Sequence, residues 1–445
     1  MCNGFNSWRR GVRRVLGIAA GAALVASLAA CGGGGTTPVP ISALDKRPLP
    51  AEFTTLQAVN YSPYRTSASE ADLDNEVITR PNVEQDLRLI QAAGFGVIRL
   101  FSSARFGDTV LEVIRTERLN LKVMLGAYVV SPLTTDPATG ATVVDDEREA
   151  HNQAELAATI RLANVYSDIV KAVSVGNETM VYWSTLAIPP EIMGRYIRHV
   201  RERVSQPVTT DDNWAFWAAA PKVITDVVDF AAVHTYPLLD TYYDPGLWDW
   251  RQKSVLDPGQ RAAAMTAASI AEAKRQFGAA RDFLDRIGLR DLPMLIGETG
   301  WVAVDTPGGP ALPFRAHPVN QKLYFDALQQ WVAEGRAGRG PQAVFFFQAF
   351  DEPWKQGDDG WGLFNKDRQA RYVVQGRGTC GVTWACEAGA YTDADALHWV
   401  PPVYNDAVAA TRYTLFSDVV TPGELRPGGL QWAPFATTGW GVNPA

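Results

Sequence analysis

Beyond residue 50 the chain repeats one pattern. A run of apolar residues ends in polar or aromatic ones, and a stretch follows whose apolar positions recur three and four apart. The first kind of run reads as a buried strand, the second as an amphipathic helix. Eight strands are predicted: 57–64, 97–101, 121–130, 170–178, 208–214, 227–236, 293–301 and 343–350. Between the first two, Pro81-Asn82 opens a helix, with Asn82 as cap candidate and Gln85 three residues on. Val83, Leu87 and Ile90 share its inner face, and Gly94 suits its stop. Leu111, Ile114 and Leu119 mark the next helix. Later helices are predicted over 149–166, from 190 to about 204, over 260–287 and over 320–334.

Eight strands alternating with helices predict an α/β protein, a (β/α)8 TIM barrel. A doubly wound open sheet is the rival, but it usually carries a Gly-rich phosphate loop after the first strand, and none is present here. The pattern dissolves after Trp354. The barrel is assigned to 51–375 and residues 376–445 to an irregular extension packed on it, with 401–413 as a candidate eighth helix. That extension lacks the periodic apolar pattern of an independent core.

The N-terminus is different. Arg9, Arg10, Arg13 and Arg14 precede an apolar run, 15–30, that is short for a membrane span. A charged start, a short apolar run and small residues at its end describe a secretory signal over 1–30. The run ends Leu28-Ala29-Ala30-Cys31, which resembles the lipobox of bacterial lipoproteins. The resemblance implies a lipid on Cys31, and Gly32 after it favours the outer membrane, periplasmic side, or the cell surface. Residues 31–50, rich in Gly and Pro, read as a flexible tether. In an oxidising compartment Cys380 and Cys386 are expected to form a local disulfide.

Composition sharpens this picture in two places. The chain of 445 residues has a net charge of −7, and without the four signal arginines 37 basic residues face 48 acidic ones. Such a balance argues against nucleic acid as a partner. Fourteen Trp, fourteen Tyr and eighteen Phe favour flat apolar ligand surfaces such as sugar rings. No zinc-binding His spacing, no Gly-x-Ser-x-Gly elbow and no catalytic Cys context is found, so neither metal nor cofactor is expected.

In barrels, reactive groups gather at the C-terminal ends of the strands. Here those ends read Arg99 and Ser102, Gly176-Asn177-Glu178, Asp211-Asp212-Asn213-Trp214, His234-Thr235-Tyr236-Pro237, Gly297-Glu298-Thr299-Gly300-Trp301 and Asp351-Glu352-Pro353-Trp354. Glu178 and Glu298 end the fourth and seventh strands and can face each other across the mouth. Glycoside hydrolysis needs such a pair, one acid to protonate the leaving oxygen and one carboxylate to attack or to activate water.

At these residues the chain resembles glycoside hydrolase family 17. The segments are Val175-Gly176-Asn177-Glu178, Ile296-Gly297-Glu298-Thr299-Gly300-Trp301, Asn60-Tyr61-Ser62-Pro63-Tyr64, Ile98-Arg99-Leu100-Phe101, His234-Thr235-Tyr236-Pro237 and Phe350-Asp351-Glu352-Pro353-Trp354-Lys355. The resemblance covers about 55–365. It implies a retaining enzyme acting on β-1,3-glucan, with Glu178 as acid/base and Glu298 as nucleophile. It further implies Asn177 on the sugar 2-hydroxyl, Tyr236 steadying Glu298, Arg99 beneath Glu298, and Tyr64 and Glu352 among the substrate contacts. Trp301 and Trp354 are candidates to stack on glucose rings, with packing as the alternative. Val302 departs from the Pro that many members carry there. Expected partners are a β-glucan and, through Cys31, a membrane; the chain is expected to be a monomer. Two other readings stay open: a β-1,3-glucanosyltransferase using the same glutamates, and a non-catalytic glucan-binding envelope lipoprotein.

Overall fold

A computed structural model describes residues 45–392 apart from 245, 253, 258–259, 305–314, 337, 358 and 390. The chain runs α1 (Ala51–Thr55), β1 (Gln57–Asn60), α2 (Arg80–Ala92), β2 (Phe95–Arg99), α3 (Ser103–Thr116) and β3 (Lys122–Ala127). It continues with β4 (Leu133–Thr135), β5 (Thr142–Val144), α4 (Asp146–Val165), β6 (Val170–Asn177), α5 (Pro190–Arg201), β7 (Val208–Asn213), α6 (Trp214–Trp217) and α7 (Lys222–Thr225). The last elements are β8 (Ala231–His234), α8 (Pro237–Tyr243), α9 (Arg261–Arg286), β9 (Met294–Thr299), α10 (Pro318–Gly335), β10 (Val344–Phe346) and α11 (Tyr372–Gln375). Eight parallel strands close in the order β1-β10-β9-β8-β7-β6-β3-β2, and β4 and β5 form a separate hairpin. The predicted (β/α)8 barrel is the observed fold.

Local chemistry sets the helix ends. Thr79, not Asn82, caps α2: its hydroxyl accepts the Asn82 N–H, and Gln85 instead meets Arg65. Pro81 therefore sits inside the first turn, where its missing N–H is harmless. Asp145 caps α4 and is followed by Asp146, Glu147 and Glu149, acids suited to the positive end of a helix.

Two layers fill the barrel. Phe53, Ala58, Val97, Met124, Ala172, Phe230, Ala232, Leu295, Ala343 and Phe345 make an apolar interior, with Leu49 and Leu56 against it. Phe53 of α1 meets the Phe345 ring at 5.8 Å and closes the floor. Lys46 Nζ donates to the carbonyls of Thr225, Asp226 and Val228, and the Arg47 backbone N–H donates to Asp229. Residues 46 and 47, placed in the tether by sequence, are thus held to the barrel floor, and the boundary falls earlier than 50. Two residues further along each strand the apolar interior becomes polar: Ala58 gives Asn60, Val97 gives Arg99, Ala172 gives Ser174 and Ala232 gives His234. All of these are buried. Period-two alternation carries these side chains to the same inner face, one layer nearer the mouth.

The disulfide between Cys380 and Cys386 is present. The candidate helix at 401–413, the signal, Cys31 and the tether up to residue 44 lie outside the described residues. Among the described residues, no helix is long and apolar enough to cross a membrane.

Candidate active site

Both glutamates end strands that bulge. β6 and β7 lose register between Ser174 and Asn177, where Gly176 sits at φ +86°, and Glu178 follows at φ +49°. β8 pairs Val233 with Ile296 but His234 with Glu298, so Gly297 is an extra residue on β9. Bulges re-aim side chains and recur beside active sites. Each has a glycine for a physical reason. Gly176 has a left-handed backbone, and a Cβ on Gly297 would fall 1.8 Å from Asp211 Oδ1. The glycines before both glutamates were visible in the sequence; the bulges they permit were not.

Four charged groups form the floor of the site. Arg99 Nη1 donates to Glu298 Oε1 at 2.7 Å, its Nε lies 3.1 Å from Asp211 Oδ2, and its Nη2 donates to Asn177 Oδ1 at 2.6 Å. The Tyr236 hydroxyl donates to the other Glu298 oxygen at 2.8 Å. His234 completes the group. Its Nδ1 lies 3.0 Å from Glu178 Oε1 and 3.7 Å from Glu298 Oε2, while Nε2 lies 3.4 Å from Asp211 Oδ1. One ring nitrogen therefore touches both glutamates. Their nearest oxygens are separated by no more than those two contacts laid end to end, a bound that reaches only the lower end of the ~6.5–9.5 Å range of inverting pairs.

The electrostatics follow. Burial alone would push the Glu298 carboxyl up, but the His234 imidazolium and the Arg99 guanidinium, with the hydrogen bonds from Tyr236 and Arg99, hold it below its ordinary range. Burial likewise opposes charge on His234. Glu298 and the bonds to Asp211 and Glu178 outweigh it and raise the imidazole to about 10. Asp211, also buried, is held low by Arg99 and His234. Glu178 differs in exposure: its side chain is 38% accessible, against 6% for Glu298.

The other sequence candidates divide. Glu352 is buried, ion-paired with Lys355 Nζ at 2.6 Å and hydrogen-bonded by the Ser62 hydroxyl. Tyr64 is largely closed off, its ring edge-on to Phe106 and Trp354, and burial pushes its phenol to about 12. Trp354 is half-buried, and its indole N–H has no partner among the described residues. Trp301 is corrected. It is fully buried, donates its indole N–H to the Arg315 carbonyl at 2.8 Å and packs on Tyr324, so it offers no face to a sugar. Ser102 caps α3. His234 and Asp211 are the residues that sequence reasoning left without a role. Both stand inside strand-end segments of the sequence, His234 in His234-Thr235-Tyr236-Pro237 and Asp211 in Asp211-Asp212-Asn213-Trp214. Among the described residues, no group of three or more His, Cys, Asp or Glu is arranged to hold a metal ion.

A parallel barrel with one glutamate ending its fourth strand and another ending its seventh brings together at its mouth the pair of carboxyl groups that glycoside hydrolysis requires. The comparisons agree, and they define the family. The chain belongs to the BtgE/BtgC glycoside hydrolase family, whose domain model matches residues 58–363. It is similar to a glucan 1,3-beta-glucosidase of Schizosaccharomyces pombe, 27% identical over 53% of this chain; the match spans 65% of that relative, just under two thirds. A glucan 1,3-beta-glucosidase of Arthroderma benhamiae is 24% identical over 67% of this chain and 86% of its own length. In fold it is similar to an endo-laminarinase from Formosa, with a TM-score of 0.65, 23% identity and coverage of 78% of this chain and 95% of that one.

Proposed function

We propose that this glycosidase acts on β-1,3-glucan with retention of anomeric configuration, through a covalent glycosyl-enzyme intermediate. The observation that carries the reading is the single His234 nitrogen within 3.0 Å of Glu178 and 3.7 Å of Glu298. The bound those contacts set covers the separation of about 5–5.5 Å of retaining pairs and reaches only the lower end of the ~6.5–9.5 Å of inverting ones, so it favours retention. Glu298, buried and held ionised, is the nucleophile. Glu178, more exposed at the mouth, protonates the leaving oxygen and then deprotonates the incoming water. The names of the relatives and the segments that resemble family 17 support β-1,3-glucan as the substrate class. Trp354, half-buried and edge-on to Tyr64, is suited to stack on a sugar ring. The lipobox-like Leu28-Ala29-Ala30-Cys31 supports an exported lipoprotein anchored at Cys31.

Proton NMR of a laminari-oligosaccharide digest tests the mechanism. The β-anomer should appear first; initial release of the α-anomer overturns retention. The same digest separates hydrolysis from transfer, because products longer than the substrate mean that a sugar hydroxyl captured the intermediate. Glu298→Gln should fold and lack turnover.

A further inference from the structure

The two adjacent aspartates that end β7 serve different partners. Strand alternation sends them to opposite sides. Asp211 joins Arg99 and His234 in the barrel interior. Asp212, equally buried, reaches the turn that carries Glu178. Its Oδ2 accepts the Met180 backbone N–H at 2.7 Å, and its Oδ1 accepts the Asn213 N–H at 2.8 Å.

That turn needs holding. Glu178 has a left-handed backbone at φ +49°, which a residue with a Cβ adopts only under constraint from its surroundings. Three bonds supply the constraint. The Glu178 N–H donates to the Asp211 carbonyl at 2.9 Å, the Met180 N–H donates to the Asp212 carboxyl, and the Thr179 carbonyl accepts the Ile188 N–H at 2.7 Å. Only the second is made by a side chain. The Glu178 carboxyl is near enough for its charge to act on Asp212: burial first, then Glu178, raises the Asp212 carboxyl to about 8.

We propose that Asp212 is a positioning residue for the general acid, its carboxyl pinning the Glu178–Met180 turn so that the Glu178 side chain is delivered to the glycosidic oxygen. The proposal rests on the assignment of Glu178 as acid/base. The physical consequence is selective. A misplaced acid slows cleavage when the leaving group needs a proton and hardly matters when it leaves as a stable anion.

The test compares laminaripentaose with 2,4-dinitrophenyl β-laminaribioside, for wild type, Glu178→Ala, Asp212→Ala and Asp212→Asn. Glu178→Ala is the reference. It should lose at least about 1,000-fold in kcat/KM on the pentaose and far less on the activated glycoside. If it loses both equally, the acid/base assignment falls, and the clamp falls with it. Given that reference, Asp212→Ala should lose about 30-fold or more on the pentaose and under about 5-fold on the aryl glycoside, with near-UV circular dichroism unchanged. Asp212→Asn keeps one acceptor and should fall between Asp212→Ala and wild type; it stands in if the alanine variant does not fold. Equal losses on both substrates, or no loss on either, overturn the proposal while leaving Glu178 as acid/base.

Discussion

Arg99 is the residue whose removal should report most directly on the nucleophile. Its guanidinium meets Glu298 at 2.7 Å, Asp211 at 3.1 Å and Asn177 at 2.6 Å, and it is buried. Two unit charges about 4 Å apart at an effective dielectric near 20 interact by roughly 4 kcal/mol. Arg99→Met deletes that attraction for Glu298 and leaves two buried carboxylates facing the single His234 cation. With Arg99 gone, burial, which already pushes the Glu298 carboxyl up, gains the upper hand. Glu298 must be ionised to attack, so the acid limb of kcat/KM moves to higher pH. Relaxation and water entry take part of the 4 kcal/mol, and a movement of at least about one pH unit is expected. Stability should fall by about 3–5 kcal/mol, the cost of breaking one side of a buried charge group. Arg99→Lys separates charge from geometry. A lysine keeps the charge but not the fork, so its acid limb should lie closer to wild type while kcat stays low because Asn177 loses its partner. The assay is kcat/KM on laminari-oligosaccharides from about pH 3 to 8, beside denaturant unfolding. An Arg99→Met enzyme whose acid limb does not move, or whose stability is unchanged, refutes the role given to the guanidinium.

His234 is held charged with its imidazole raised to about 10, whereas an unfolded imidazole titrates near 6.5. Its contribution to stability is therefore complete below about 6.5 and decays as pH rises toward 10. His234→Gln should flatten the dependence of Tm on pH across that window; parallel curves would remove His234 from the charge network. Trp301→Ala should cost about 3–5 kcal/mol in denaturant unfolding, as buried aromatic truncations do, whereas Trp354→Ala should raise KM up to about tenfold with little loss of stability. The reverse pattern would reassign both tryptophans. Full-length protein from a bacterial host should partition into a detergent phase, and Cys31→Ser should partition into water; indifference to the substitution would dismiss the lipid anchor.

Much of the fold was legible because a parallel barrel writes itself along the chain. Each strand is buried on both faces and reads as an apolar run. While β2 starts at Phe95, two residues before its run, the other seven of the eight barrel strands fall within the predicted runs, as β8 (Ala231–His234) does within 227–236. The excess length has a cause: Lys222–Thr225 coils into α7, and the apolar Val227 and Val228 continue past it before the strand begins. The meeting of Arg99 and Tyr236 with Glu298 was legible too, through the family-like segments. The burial of Trp301 was not. Its partners, Arg315 and Tyr324, lie 14 and 23 residues away, and nothing at Trp301 itself signals them. Nor was the pairing of His234 with both glutamates. It depends on a register shift between β8 and β9, a relation between two strands that neither strand carries alone.

That shared imidazolium explains how two glutamates of the same type serve opposite needs within one site. Under the proposed roles the interior holds two cations, Arg99 and His234, against two anions, Asp211 and Glu298, and is balanced while Glu298 is free. When Glu298 bonds to the sugar its charge is consumed, and one buried cation is left without its partner. His234 Nδ1 already lies closer to Glu178 than to Glu298. At that stage Glu178 has just given its proton to the leaving oxygen and stands beside the imidazolium as a carboxylate, the form required to deprotonate the incoming water. In deprotonating the water Glu178 regains its proton, and hydrolysis of the ester restores the charge on Glu298 and draws the imidazolium's field back to it. Separate cations would each serve one carboxyl; the shared one stands beside whichever glutamate carries the negative charge at each stage.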